Sequence, residues 1–568
     1  MRRRSRRMHV VAMLAAAIAA CSAPARTASD AIPAAWREAH HATTATAGSA
    51  MVVSASPYAT RIGVRVLRSG GNAVDAAVAV AFALSVAYPT AGNLGGGGFI
   101  VARLGKESVA LDFRETAPGK ATHDMFLDAN GNVTGRSLTG ALAAGVPGTV
   151  AGLWAMHEKY GHAPWHDLVA PAIALADSGL TADSAFIEDI AGERKRLARF
   201  PASAALFLPG GAPVAFGAMW RNPDLAAMLR RIAEHGRDGF YTGKTAELIV
   251  AEMARGGGII SLNDLRKYEA VWRTPVEFTY RGHRVISMPP ASSGGLTLAL
   301  MANILNGIDL RAMGWHSPDA IGAVAGAERA AFARRNALLG DPAYVHIDGA
   351  PFLSPDTAAA IRAAIVRGEG DKRHTTHFDV VDAQGNAVAM TFTLNDGFGS
   401  AETVTGAGFL LNDEMDDFTT KTGVLNAMGL RQGEINAIQP GKRMLSSMTP
   451  TIVLDSAGAP WLITGASGGA RIITGVQQVM NNVVDFGMSL GDAESAPRFH
   501  AQDFPDSLLL ERGGYDEALL RALAGRGEHP KQAGPWEYDF AWVQSILRSG
   551  NAWDGVSEPR GHGLAAGY

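Results

Sequence analysis

Two threonines, an arginine set between acids, and a serine among glycines have the types and spacing for nucleophilic attack on a carbonyl. The stretch His374-Thr375-Thr376-His377-Phe378-Asp379-Val380-Val381 is rich in β-branched and aromatic residues, as is the run from Ala387 to Asn395. Between them lies Asp382-Ala383-Gln384-Gly385-Asn386, and the whole pattern predicts a β-hairpin. With Gln384 centring a three-residue loop and Gly385 in the left-handed position, Asp382 pairs with Asn386 and Thr375 with Thr393. Two hydroxyls then face each other across neighbouring strands, within hydrogen-bonding reach. The β propensity of threonine accounts equally well for an ordinary buried hairpin, so the rest of the chain must decide.

Three further constellations bear on that decision. Leu111-Asp112-Phe113-Arg114-Glu115 ends a strand with an arginine between acids, either a surface ion-pair cluster or a clamp for a carboxylate. Leu410 to Phe418 is an acid-rich loop carrying Glu414 and Asp417, and the irregular stretch 419–443 after it has the length of a lid or binding loop. Gly465-Ala466-Ser467-Gly468-Gly469 fits a Gly-x-Ser-x-Gly nucleophile elbow between a strand and a helix. A serine hydrolase would use Ser467 with His500, His529 or His562 as base. The same glycine turn at a helix N-terminus can instead serve as an oxyanion hole without carrying a nucleophile. His157-Glu158 with His162 misses the zinc spacing by one residue, and Gly161 breaks the helix, so no metal is expected there.

The elements that must position these groups read as a mixed α and β chain. With 47% hydrophobic and 18% charged residues and a net charge of -3, the chain has ample core and no basic field for nucleic acid. Helices are expected over 58–68, over 72–88 with Asn72 as cap, over 225–235, 245–255, 296–305, 320–339 and 356–367, and over 470–485 after the glycine turn. The apolar 72–88 helix carries Asp75 and is short, which favours a buried core helix over a membrane span. Gly92-Asn93-Leu94-Gly95-Gly96-Gly97-Gly98 opens a strand instead of a helix, which predicts close backbone packing or a pocket wall rather than a phosphate loop. The arginine-rich start and the apolar run 10–20 form an export signal over 1–25, with Ile18-Ala19-Ala20-Cys21 resembling a lipoprotein box. Residues 26–47 read as a flexible, exposed lead-in. Cys21 is the only cysteine, so the mature chain has no thiol nucleophile and catalysis must use oxygen or nitrogen.

Taken together the pieces resemble the gamma-glutamyltranspeptidase family of N-terminal-nucleophile hydrolases. The matching stretches include Gly70-Gly71-Asn72-Ala73-Val74-Asp75, Asp112-Phe113-Arg114-Glu115, Ser292-Ser293-Gly294-Gly295, Thr375-Thr376-His377, Met415-Asp416-Asp417-Phe418, Ser446-Ser447-Met448, Gly468-Gly469 and Ala496-Pro497-Arg498-Phe499-His500. The resemblance implies an α+β, four-layer αββα sandwich built from one precursor that cuts itself between His374 and Thr375. A large subunit (48–374) and a small catalytic subunit (375–568) would form a heterodimer in the bacterial periplasm, with a lipid anchor possible only through Cys21. Thr375 would be nucleophile and Thr393 its support; Gly468 and Gly469 would bind the oxyanion, with Ser467 only a turn residue. Arg114, Ser446 and Ser447 would hold the glutamyl α-carboxylate, Glu414 and Asp417 its α-ammonium, and Asn395, two residues after Thr393 on the same face of that strand, would complete the substrate site. No cofactor and no metal are implied; the partners are a γ-glutamyl donor such as glutathione and an acceptor that is water or an amine. Glutaryl and cephalosporin acylases of the same superfamily are the related alternative, which retention of both Glu414 and Asp417 argues against. The chain departs from the family at Ala466-Ser467, where Ser-Pro is usual, at Met428, where many members carry an aromatic lid residue, and in a shorter segment before Thr375.

Overall fold

The computed structural model describes residues 27–362, 375–504, 506–533 and 540–568. The export signal with Cys21, and the segment 368–374 that ends at His374, lie outside the described residues.

Fourteen strands build two seven-stranded sheets. They are β1 (Thr44–Ala47), β2 (Met51–Ser54), β3 (Gly97–Leu104), β4 (Glu107–Phe113), β5 (Val271–Arg273), β6 (Val276–Tyr280) and β7 (His283–Ser287). The chain continues through β8 (Thr376–Val381), β9 (Ala387–Thr393), β10 (Thr451–Leu454), β11 (Pro460–Ser467), β12 (Trp542–Ser549), β13 (Ala552–Val556) and β14 (Leu564–Gly567). One sheet runs β14-β2-β8-β9-β3-β4-β5, the other β1-β13-β12-β11-β10-β7-β6. The hairpin β8–β9 packs on β11 and β12 of the facing sheet, so it is buried on both sides. Helices cover the outer faces. Pro57–Arg68 (α2) and Ala73–Ala87 (α3) lie on the first sheet, Gly294–Asn306 (α5) and Arg471–Val484 (α7) on the second. This is the four-layer αββα sandwich that the family resemblance implies.

The hairpin folds in the expected register. Continuing the β8–β9 ladder places Thr375 opposite Thr393 and Asp382 opposite Asn386. The Asp382 N–H donates to the Asn386 carbonyl (3.1 Å), and Gly385 has φ +78°, a conformation that disfavours a Cβ. Asp382 also accepts from the backbone N–H groups of Gln384, Asn386 and, at 3.0 Å, Ala73 at the start of α3. One carboxylate therefore shapes the turn and ties it to a core helix. That helix is apolar all round and buried from Ala73 to Val86, each Val, Leu or Phe contributing about 1.5–3 kcal/mol. Its one charge, Asp75, caps it with Asn72 and accepts the N–H groups of His162 and Ala163. No helix among the described residues is long and apolar enough to cross a membrane.

The glycine run before β3 is close packing. A Cβ on Gly96 would stand 2.0 Å from the Thr393 carbonyl, one on Gly95 2.1 Å from that of Leu410, and one on Gly98 2.3 Å from that of Thr391. Only hydrogen fits where the neighbouring strand and the 410 loop close on this backbone.

Two expectations are corrected, and a third is seen only in part. Residues 26–47 are not a free lead-in: Ala34–Ala39 (α1) buries Trp36, whose indole N–H donates to the Ser495 carbonyl at 2.7 Å, and β1 pairs with β13. These partners come from the far end of the chain and leave no local trace. Ser467 is not a turn residue, because β11 extends to it and pairs it with Trp542. The 356–367 helix is described as Pro355–Arg362, and its remainder lies outside the described residues.

Candidate active site

One small cleft at the end of the hairpin gathers most of the residues singled out above. Arg114, Thr375, Thr393, Asn395, Asp417, Met428, Ser446, Ser447 and Gly469 line it, with Leu430, Met448 and Ile472. They arrive from six separate places in the chain: the end of β4, the start of β8, the end of β9, the acid-rich loop with its irregular continuation, the loop before β10, and the turn before α7. His377 stays beneath this cleft: its ring contacts Thr391 Oγ1 (2.7 Å) and Asp379 Oδ1 (2.9 Å) and fills the space that a side chain at Gly465 would need.

Asn395 reaches the cleft by a route other than strand alternation. β9 ends at Thr393, and Asn395 takes φ +84°, a left-handed position that asparagine tolerates better than most residues. Its backbone N–H donates to Thr393 Oγ1 (2.8 Å), and its side-chain amide donates to the Asp413 carbonyl (3.1 Å). The Thr393 hydroxyl is thus held as an acceptor on that side, next in the ladder to Thr375.

The expected clamp is a single buried ion cluster. Arg114 Nη1 lies 2.5 Å from Glu414 Oε2 and 3.6 Å from Glu115 Oε2, Nη2 is paired with Asp417, and Nε donates to the Met444 carbonyl at 3.2 Å. Burial pushes the carboxyls of Glu414 and Asp417 up from their ordinary range, while Arg114 pulls the other way. Burial likewise pushes Glu115 up, to about 8. Asp417 faces the cleft, whereas the Glu414 carboxylate is fully buried behind Arg114 and is not part of the cleft wall. The two acids that the sequence groups as one pole therefore divide, one facing substrate space and one backing the arginine.

Gly469 also lines the cleft, and Gly468 precedes it outside the lining, with φ +57° and +127°. The Gly468 and Gly469 carbonyls accept from the Arg471 and Ile472 N–H groups at the start of α7, so the turn is fixed onto the helix N-terminus.

The Ser467 elbow does not assemble. Among the described residues Ser467 has no hydrogen bond to a histidine. His500 is engaged with Thr474 Oγ1 (3.0 Å) and Gln502 Oε1 (3.1 Å), and burial pushes its imidazole down to about 3. His529 contacts the Asp506 carbonyl at the surface, and His562 lines a different cavity with Tyr58 and Asp183. His157 Nε2 sits 2.7 Å from the Ala163 carbonyl, a loop brace.

One residue in contact with this site escaped the sequence reading. Arg335, on Pro318–Leu338 (α6), reaches Ser447 from below the cleft. Nothing in its helical setting sets it apart, since its partners other than the adjacent Asn336 come from three distant segments.

Comparison with known proteins shows the family. The gamma-glutamyltranspeptidase family model matches residues 59–568. The glutathione hydrolase proenzyme of Pseudomonas sp. (strain A14) is 43% identical over 549 residues, 92% of this chain and 95% of that one. The glutathione hydrolase proenzyme of Escherichia coli (strain K12) is 42% identical over 540 residues, 91% of this chain and 92% of its own. Among solved structures, the cephalosporin acylase of Bacillus halodurans superposes with a TM-score of 0.83 at 26% identity, covering 93% of this chain and 97% of that chain.

Proposed function

The chain belongs to the gamma-glutamyltranspeptidase family, and we propose that Thr375 is its nucleophile, freed as a new N-terminus when the precursor cuts itself after His374. The enzyme is a self-processing glutathione hydrolase and γ-glutamyltransferase. The observation that carries the site assignment is the meeting of Thr375 and Thr393 with Arg114, Asp417, Ser446, Ser447 and Gly469 on one cleft.

The chemistry follows from the atoms present. The free α-amine of Thr375, with an ordinary pKa of about 7.7–8.0, takes the proton of its own hydroxyl as Oγ1 attacks the γ-carbonyl. The oxyanion that forms is met by backbone N–H groups at Gly468 and Gly469. The C–N bond then breaks, the ammonium returns the proton to the leaving amine, and a γ-glutamyl ester remains on Thr375. Water or an amino acid or peptide amine, deprotonated by the same α-amine, attacks that ester and restores the hydroxyl. Thr393 holds the nucleophile from the neighbouring strand, and Asn395 fixes Thr393.

In the donor, the α-carboxylate is held by Arg114, Ser446 and Ser447, and the α-ammonium by Asp417; Glu414 keeps Arg114 in place from behind. An acid on the cleft wall supports a donor that carries an ammonium group over a glutaryl side chain, which has none. Met428 lines the same cleft and bears on the balance between hydrolysis and transfer. The leader over 1–25 directs export to the periplasm, with Cys21 a possible acylation point, and the two fragments stay together as a heterodimer.

A denaturing gel tests the proposal. The purified protein should run as two fragments divided before Thr375 and release glutamate from glutathione. Thr375→Ala should stay whole and inactive, while Ser467→Ala is cleaved and active. An intact chain that still releases glutamate, or inactivation by Ser467→Ala alone, would sink the assignment.

A further inference from the structure

The two serines on the cleft are oriented by donors beneath them. Ser446 Oγ accepts the Met448 N–H at 3.1 Å, and Ser447 Oγ accepts from Arg335 Nη2 at 3.1 Å. A guanidinium has no acceptor atom, so Ser447 must accept in that bond, and its own O–H remains to donate elsewhere. Both serine hydroxyls are thereby set as donors at the cleft, the polarity that an anion requires.

Arg335 itself is fully buried. Its Nε donates to Ser293 Oγ (3.0 Å), and its Nη1 donates to Gln432 Oε1 (3.0 Å) and Asn336 Oδ1 (2.8 Å). Two of these partners lead back to the cleft: Ser293 Oγ donates to the Ser446 carbonyl (2.5 Å) and Gln432 Nε2 to that of Asp417 (3.0 Å). Asp503 is held by Asn336 (2.8 Å), and among the described residues no carboxylate lies within ion-pair distance of Arg335, Asp417 and Asp503 attracting it only from farther off. Neutral oxygens alone receive a buried charge of this kind, and such a charge favours an anion nearby more than a paired one does.

We propose that Arg335 is a positioning residue for the γ-glutamyl donor: acting through Ser447, it fixes that hydroxyl as a donor to the α-carboxylate and adds an unpaired positive charge beneath it. The inference rests on the donor assignment made above.

Steady-state kinetics of the self-cleaved enzyme test it, with a γ-glutamyl anilide as substrate and two inhibitors. One inhibitor is glutamate; the other is 4-aminobutyrate, which keeps the ammonium but lacks the α-carboxylate. Arg335→Gln should raise the KM for the anilide and the Ki of glutamate together, about tenfold. It should leave kcat and the Ki of 4-aminobutyrate unchanged. Within a Ser447→Ala background, Arg335→Gln should add little, because the two act through one bond. Arg335→Lys keeps the charge without the planar fork and should shift the same two constants by less. Equal changes in both inhibitors, a change confined to kcat, or independent effects of Arg335→Gln and Ser447→Ala would each overturn the proposal. So would failure of both Arg335 variants to give cleaved enzyme, since Arg335 would then be a folding residue. A wild-type enzyme that neither turns over the anilide nor is inhibited by glutamate would overturn the functional reading instead.

Discussion

Two of the buried clusters of arginines and carboxylates among the described residues differ in how their oxygens are used. Near the C-terminus, Arg560 donates to both oxygens of Glu511 (2.5 and 2.8 Å) and to Glu558 (2.7 Å), and Arg498 donates to Glu558 (2.7 Å) and Glu494 (3.1 Å). Backbone N–H groups of Arg498, Val543 and Arg560, with the Ser545 hydroxyl, add further donors, so all six carboxylate oxygens accept a bond. Around Arg114 the composition is alike, but neither oxygen of Glu115 or Glu414 accepts a directed hydrogen bond among the described residues, and one side opens onto the cleft. Leaving buried acceptors unsatisfied costs free energy that the closed cluster avoids. The contrast teaches that ion pairing by itself marks no site. What marks one is charge left under-satisfied beside a space that a ligand can fill.

The contrast breaks if the closed cluster is dispensable for folding. Arg560→Met leaves Glu511 and Glu558 buried without their main counter-ion, a change that typically costs about 3–5 kcal/mol. Its urea midpoint should fall sharply, while the fraction still folded keeps the wild-type KM for the donor. An unchanged midpoint would remove the distinction between the clusters.

The open cluster should behave in the opposite way. Arg114→Ala removes charge-assisted bonds to the α-carboxylate, worth about 3 kcal/mol, or about a hundredfold in kcat/KM. The loss should fall mainly on the KM of the γ-glutamyl donor, with self-cleavage intact on a gel. Stability should drop less than in Arg560→Met, because burial already raises the carboxyls of Glu115, Glu414 and Asp417, and these can take up protons once Arg114 is gone. Unchanged donor kinetics would take Arg114 out of the site.

The sequence carried the two regions unequally. Hairpin register was legible because Asp382, Gly385 and Asn386 encode the turn within five residues, and a turn sets every pair above it. The cap of α3 was legible for the same local reason, and the site residues followed from motif matches. Whatever depends on distant segments was not. The lead-in strand pairs with β13 more than 500 residues on, as Thr46 and Asp554 illustrate (2.6 Å, 508 residues apart). Glu414 and Asp417 share a four-residue 3₁₀ turn, yet the fold turns one behind Arg114 and the other to the cleft. Arg335 is one arginine among several on its helix until Ser293, Gln432 and Ser447 come together around it.

The smallest expected effect sharpens the comparison through pH. In the closed cluster, burial pushes Glu494 up to about 8, although Arg498 pulls it down. An unfolded glutamate titrates near 4.3, so between about pH 5 and pH 8 the folded chain holds a proton that the unfolded chain has released. Stability from this group is therefore present at low pH and lost as pH rises towards 8. Glu494→Gln keeps the shape and removes the titration, so the fall in urea midpoint from pH 5.5 to pH 8.5 should be shallower than in wild type. Donor KM should be the same in both at each pH, since Glu494 serves the closed cluster alone. If the slope does not change, Glu494 is ionised in the folded chain at neutral pH. The closed cluster would then carry one negative charge more than its two arginines, and the rule that satisfied oxygens mark a structural cluster would have to rest on its backbone donors rather than on charge balance.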